Sequence, residues 1–442
     1  MSDKKRRIDT VVALGEALHS VGLPAHRVEA MLGQAADRLG LVLHAFCLPT
    51  GLLLSFEDNP VPQTYVLRAQ LSAVHLERLA LLNRVGDDLV RGHISPDEAR
   101  ARIDDLMKVP PRWGAVPTVA AYVFSAGAFA VFFRGGLTEL MVAIAVGLAV
   151  GILAVAMRRI RTSSRLFELT AAIAAALIAV AGDTFLGHFQ DWVPLASGLI
   201  VLLPGISLVD SVEELSHGHL ASGGARMAGV GVAFLALTFG AVLGEGLARY
   251  VPETHPEPAQ PPLARKGSTD KSPGGEREVD QPTGQEIHQE DAEEAAVGRP
   301  LPSWAIVPAL IAVAAGSMIR FRSRPMDFFT GLAGSTVALV GARLGTAFAG
   351  PFGGPFLAAF ALGLVANVYC RTRRQAPELI AIPGIALLVP GSVGVRSLAA
   401  LLSEDTTLGI DTAFHMFLIA MALVSGLLFS HSIFRTRLPA KA

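Results

Sequence analysis

The chain has 442 residues, 51% hydrophobic and 17% charged, with a mean hydropathy of +0.47 and a net charge of -1. Soluble proteins carry about 25% charged residues, so the deficit excludes an ordinary soluble protein and marks a polytopic membrane protein. The near-neutral charge gives no field for nucleic acid, and the two cysteines, Cys47 and Cys370, give neither metal spacing nor a disulfide framework.

Residues 1 to about 112 read as a small α+β domain. The N-terminus is basic and runs into an amphipathic stretch, so no cleavable signal peptide is expected. Ile8–Val21 has helical periodicity and is ended by Gly22; Pro24 opens a second helix with Val28, Met31, Leu32, Ala35 and Leu39 on one face. Leu41–Leu48 and Leu52–Phe56 read as strands joined by a turn at Pro49-Thr50-Gly51, and Thr64–Ala69 as a third strand. Leu76–Arg91 and Ser95–Met107 read as helices, the second capped by Ser95 with Pro96 in its first turn.

Ten apolar segments follow, five on each side of a polar linker at 250–302: about 114–133, 137–157, 166–187, 193–209 and 223–248, then 303–319, 326–349, 355–370, 378–395 and 410–434. Each approaches the ~20 residues that cross hydrocarbon. The linker is rich in Pro, Glu and Gly without apolar periodicity and is expected to be disordered. Arginine clusters follow segments two, six, eight and ten, and Arg112 precedes segment one. With ten crossings all five fall on one side, which the positive-inside rule makes the cytoplasm, with both termini there. An odd number of crossings per half makes the halves (113–249 and 303–442) inverted five-helix repeats.

Two breaks occupy matching places in those halves. Gly198-Leu-Ile-Val-Leu-Leu-Pro204-Gly205-Ile-Ser207 overlays Gly384-Ile-Ala-Leu-Leu-Val-Pro390-Gly391-Ser392, with Asp210 opposite Arg396. Such breaks free backbone groups that lipid cannot satisfy, and the N–H groups of a half-helix can hold a carboxylate. Pro204, Gly205, Ser207, Pro390, Gly391 and Ser392 are therefore the candidate substrate-binding residues. Glu168, Asp210, Arg343 and Arg396 are candidates for coupling or charge pairing, because a charge in a span costs roughly 2.5–3.5 kcal/mol without a partner or role. Asp183, Glu213, Glu214 and Asn367 are the other polar groups in or near spans. Glu213, Glu214, His217 and His219 read as a solvated connector in preference to a metal site, and no cofactor or metal is expected. Gly147/Gly151, Gly240/Gly244 and Gly341/Gly345 read as helix-packing pairs. His26-Arg27-Val28-Glu29 reads as a helix turn with local ion pairs. The chain holds neither a G-x-S-x-G nor a P-loop motif.

Several blocks together resemble the threonine/serine exporter family. They are Leu14-Gly-Glu-Ala-Leu18 through Gly22-Leu-Pro-Ala-His26-Arg27-Val28-Glu29, Pro49-Thr50-Gly51, Leu203-Pro204-Gly205-Ile206-Ser207, and Gly218 through Arg226. The second half resembles the family's partner domain through Pro377 and Leu388-Val-Pro390-Gly391-Ser392, so the chain is similar to a fusion of both. Gly22-Leu-Pro-Ala departs from the family's more usual small-residue-Pro-Thr pattern. The resemblance implies a non-enzymatic, proton-driven secondary exporter with ten spans in the inner membrane, a cytoplasmic N-terminal domain, and threonine or serine as substrate. It equally allows a small dicarboxylate such as succinate, which some two-chain relatives are associated with exporting. A membrane-anchored hydrolase using the N-terminal domain is the alternative of another class, and self-association into a homo-oligomer is left open.

Overall fold

In a computed structural model the described residues are 3–57, 61–68, 74–160, 164–187, 192–248, 300–373, 375–388, 393 and 406–435. The linker reading, Pro390, Gly391, Ser392 and Arg396 lie outside them.

The N-terminal elements are α1 (Asp3–Ser20), α2 (Ala25–Arg38), β1 (Leu43–Leu48), β2 (Gly51–Phe56), β3 (Gln63–Arg68), α3 (Leu76–Arg91) and α4 (Pro96–Lys108). Gly22 (φ 84°), Gly40 (φ 68°) and Gly92 (φ 76°) take the left-handed conformation where α1, α2 and α3 end. Ser95 Oγ accepts the Glu98 N–H at 3.2 Å and caps α4. The strands form one antiparallel sheet in the order β1-β2-β3, and Leu48 pairs with Gly51 across a Pro49-Thr50 turn. A side chain at Gly51 would meet the Leu67 carbonyl at 2.9 Å, so the turn needs glycine there. Leu52, Leu54 and Phe56 alternate into a core with Leu14, Leu18, Val28 and Leu32. That core also takes in Phe321 and Leu379 from the apolar part of the chain.

The apolar segments form α5 (Ala115–Phe132), α6 (Leu137–Arg159), α7 (Ser164–Leu186), α8 (Trp192–Leu199), α9 (Gly205–Ser216) and α10 (Leu220–Ala248). Beyond the linker come α11 (Ile306–Arg320), α12 (Phe328–Arg373), α13 (Glu378–Leu388) and α14 (Thr406–Arg435). Seven helices among the described residues are long and apolar enough to cross a membrane. One of these, α12, is two limbs: Ala349 and Gly350 leave helical geometry, with Gly350 at φ 71°. A side chain on Gly341 would lie 2.7 Å from Ala358 Cα, so the second limb folds back along the first. The fourth segment is also divided, ending as α8 and restarting as α9 after Pro204.

The glycine pairs sit at close crossings. Side chains at Gly147 and Gly151 would meet α5 backbone at Tyr122 (2.9 Å) and Val119 (3.1 Å), and those at Gly240 and Gly244 would meet α7 at Leu169 and Ile173 (2.6 and 2.8 Å). Gly198 abuts Val146, and Gly384 abuts Leu362 (2.7 Å) and the Gly334 carbonyl (2.9 Å), so both members of that overlaid pair pack against another helix. Large apolar side chains such as Ile152, Leu235, Phe239, Phe348 and Phe414 stay exposed, as lipid-facing positions do.

Chain directions follow from contacts at the helix ends. Trp113 Nε1 donates to the Ser323 carbonyl (3.0 Å) at the start of α5, and Leu301 N–H donates to the Gly135 carbonyl (3.3 Å) at its end, so α5 and α11 run antiparallel. Leu76 N–H donates to the Phe321 carbonyl at 2.8 Å, which fixes the N-terminal elements at the end of the helices where α5 begins.

Candidate functional site

At that end lies a cavity of about 390 Å³. The restarted helix supplies Pro204, Ser207 and Asp210; α7 supplies Arg165 and Glu168; α10 supplies Arg226; Arg320 and Phe321 close another side. Its remaining wall comes from the N-terminal elements: His19, Gly22, Leu23 and Pro49, hence the α1–α2 turn and the β1–β2 hairpin tip. Four of the sequence-selected residues, Pro204, Ser207, Asp210 and Glu168, thus line one space. Gly205 is buried as the first residue of α9, whose first turn is not capped by a side chain.

Two of the site's three guanidiniums, Arg226 and Arg165, are paired with carboxylates. Arg226 Nη2 donates to Glu214 Oε1 at 2.9 Å and lies 3.9 Å from Asp210 Oδ2 through Nη1. Glu214 is fully buried and also accepts the Ala25 N–H (3.0 Å) and the Ser222 hydroxyl (2.8 Å). Burial opposes its charge, but these donors and Arg226 hold its carboxyl below the usual range. Asp210 stands past the apolar run, and burial pushes its carboxyl up to about 7, against Arg226 and helped by Glu213 and Glu214. Arg165 Nη1 donates to Glu168 Oε2 at 2.9 Å, and its Nη2 donates to the Gly229 carbonyl at 3.0 Å.

The His26-Arg27-Val28-Glu29 block does not make the expected local pairs. His26 Nε2 lies 3.4 Å from Glu213 Oε1 of α9, and Arg27 Nη1 lies 2.6 Å from Glu378 Oε1 of α13. Glu29 Oε1 accepts the Cys47 N–H at 2.8 Å and lies 3.7 Å from His219 Nδ1. The 213–219 stretch is accordingly no solvated connector: Glu214 is buried, Glu213 and His219 are largely covered by the N-terminal elements, and His217 alone of the four is exposed. These partners lie far apart in the chain, and local pattern gave no sign of them. Arg226 is different: a guanidinium in the first turns of an apolar helix carries the same signal that singled out Arg343.

Arg343 lies elsewhere, on a second cavity of about 820 Å³ with Phe129, Arg134, Ser303 and Leu388. Those residues belong to the end of α5, the start of the second half and the end of α13, so this cavity opens at the opposite end of the helices.

A helical membrane protein with a charged, walled cavity beside a proline-broken segment is built as transporters are. Residues 9–248 match the family of threonine/serine exporters (ThrE), and residues 305–433 match a second description, "Threonine/Serine exporter, ThrE". The chain belongs to the threonine/serine exporter family. Among similar proteins, the "Probable threonine/serine exporter" of Mycobacterium tuberculosis is 28% identical over 91% of this chain and 71% of its own length. "Pheromone-regulated membrane protein 10" of Candida albicans is 28% identical over 56% of this chain and 23% of its own length. An uncharacterized Schizosaccharomyces pombe protein is 29% identical over 56% of this chain and 34% of its own. The chain thus spans about a third or less of the fungal relatives' length. No solved structure matches it.

Proposed function

We propose that the chain is a secondary exporter of small amino acids, threonine and serine first, driven by the proton gradient across the inner membrane. Ten crossings form two inverted five-helix halves, with both termini and the N-terminal domain cytoplasmic. The observation that carries this reading is the mixed charge of the Pro204 cavity. A zwitterion needs a cation for its carboxylate, an anion for its ammonium and, for threonine or serine, a partner for its hydroxyl. Arg226 and the N-terminus of α9 suit the carboxylate, Asp210 and Glu168 the ammonium, and Ser207 the hydroxyl. The remaining residues selected from the sequence keep their proposed roles, Pro390, Gly391 and Ser392 in binding substrate and Arg343 and Arg396 in charge pairing.

Asp210 is the coupling group in this reading. Its carboxyl near 7 lets it hold either a proton or the substrate ammonium, but not both. Facing the cytoplasm it is ionised and takes the amino acid. Facing a more acidic exterior it takes a proton and releases the amino acid. The test is efflux from cells loaded with a threonine dipeptide, with and without an uncoupler. The reading expects faster threonine efflux that the uncoupler abolishes.

A second reading is dicarboxylate export, favoured by three guanidiniums, Arg165, Arg226 and Arg320, on the same cavity. It expects unchanged threonine efflux and faster succinate efflux in the same cells. Zwitterion export ranks first because Arg165 and Arg226 each carry an acidic partner.

A further inference from the structure

We propose that His26, Glu213 and His217 form a binding site for a divalent transition-metal ion of the zinc class, which clasps α2 to α9. Each residue offers one ligand atom, and the three lie within 4.8 Å of one another. Glu213 is in the last turn of α9 and His217, four residues on, is its C-cap; His26 comes from the first turn of α2. The His26 and His217 rings lie parallel, 4.4 Å between centroids. His26 Nδ1 is buried and has no hydrogen-bond partner among the described residues. A buried imidazole nitrogen left without a partner is costly, and an ion bound at Nδ1, with the ring turned from its Nε2 contact to Glu213, would relieve it.

The donor set selects the metal. Two imidazoles and one carboxylate suit zinc and its neighbours, whereas calcium and magnesium want oxygen alone. Tetrahedral bonds of about 2.1 Å place ligand atoms about 3.4 Å apart, so the trio must draw in by about 1.4 Å at its widest and the stacked rings must rotate to aim both nitrogens at one ion. Three protein ligands leave a fourth position for water, on the side where His217 is exposed. Arg27 stands next to the trio, and its charge is taken up by Glu378. The inference rests on these side chains alone and is independent of the transport reading.

The test uses the full chain without a polyhistidine tag, purified in detergent, stripped with chelator and titrated with Co²⁺ and then Zn²⁺. One Co²⁺ per chain should give the intense visible bands of a tetrahedral site, and Zn²⁺ should displace it and raise Tm. His26→Ala and His217→Ala should each weaken binding by roughly a hundredfold, and His219→Ala should leave it unchanged. If the variants do not fold, wild-type protein settles the matter: Zn²⁺ should protect His26 and His217, but not exposed His44 and His93, from diethyl pyrocarbonate. Absence of tetrahedral bands, equal binding by folded wild type and His217→Ala, loss of binding in His219→Ala, or no protection of His26 and His217 would each overturn the site.

Discussion

Arg226 holds two carboxylates on α9, and one of them, Glu214, has no solvent exposure. Removing the guanidinium leaves that charge buried and short of a partner, which costs about 3–5 kcal/mol. Arg226→Met should therefore lower Tm sharply, whereas Arg226→Met with Glu214→Gln should recover much of the loss; equal Tm values for the single and double variants would refute the pairing. His75 offers a second check outside the spans. Burial, then Arg322 and Arg78, lower its pKa from 6.5 to about 4. The folded state keeps this imidazole neutral, so its stability contribution is full above pH 6.5 and is lost as pH falls toward 4. Tm should drop over that window, and His75→Asn should flatten the drop. An unchanged pH profile in the variant would show that other groups cause it.

At the scale of elements, close helix crossings decide what the chain tolerates. A side chain on Gly345 would run into the Gly353 carbonyl, a backbone atom that cannot swing aside, whereas one on Gly231 of α10 meets nothing within 4 Å. Gly345→Val should abolish folded protein in detergent, and Gly231→Ala should be silent by size-exclusion chromatography and Tm. A well-folded Gly345→Val protein would mean that the two limbs of α12 do not fold back as described. Much of this level was legible beforehand. Turn glycines, the Ser95 cap and period-two apolarity locate the N-terminal elements to within a few residues, because those signals are local. The glycine pairs were legible for the same reason, as were the break at Pro204 and the boundary between segments seven and eight. The partners of His26, Arg27 and Glu29 were not. They come from α9, β1, α13 and the residue before α10, and no local periodicity encodes which distant carboxylate a surface histidine will meet.

Across the whole molecule, the N-terminal elements behave as a wall of the cavity and are tied to both halves of the chain. Ala25 bonds Glu214 in the first half; Arg27 pairs with Glu378, and Leu76 and Glu77 bond Phe321 and Arg322, in the second. A charge swap tests the tie. Arg27→Glu should weaken the seating of residues 1–112 on the helices, read as faster proteolysis of that segment, and Arg27→Glu with Glu378→Arg should restore it. Failure of the double variant to restore protection would leave that tie without support. In the proposed cycle this wall, with His19, Gly22, Leu23 and Pro49 on the cavity, must yield for substrate to enter.

Competition between proton and substrate at Asp210 is the centre of the account, and threonine affinity measured against pH tests it most directly. Calorimetric titration of the detergent-purified chain from pH 5.5 to 8.5 should show affinity climbing by up to tenfold per pH unit below about 7 and levelling above it. Asp210→Asn should bind weakly at every pH, without that slope. Threonine affinity that is flat with pH in the wild type, or an Asp210→Asn protein with the wild-type profile, would contradict it.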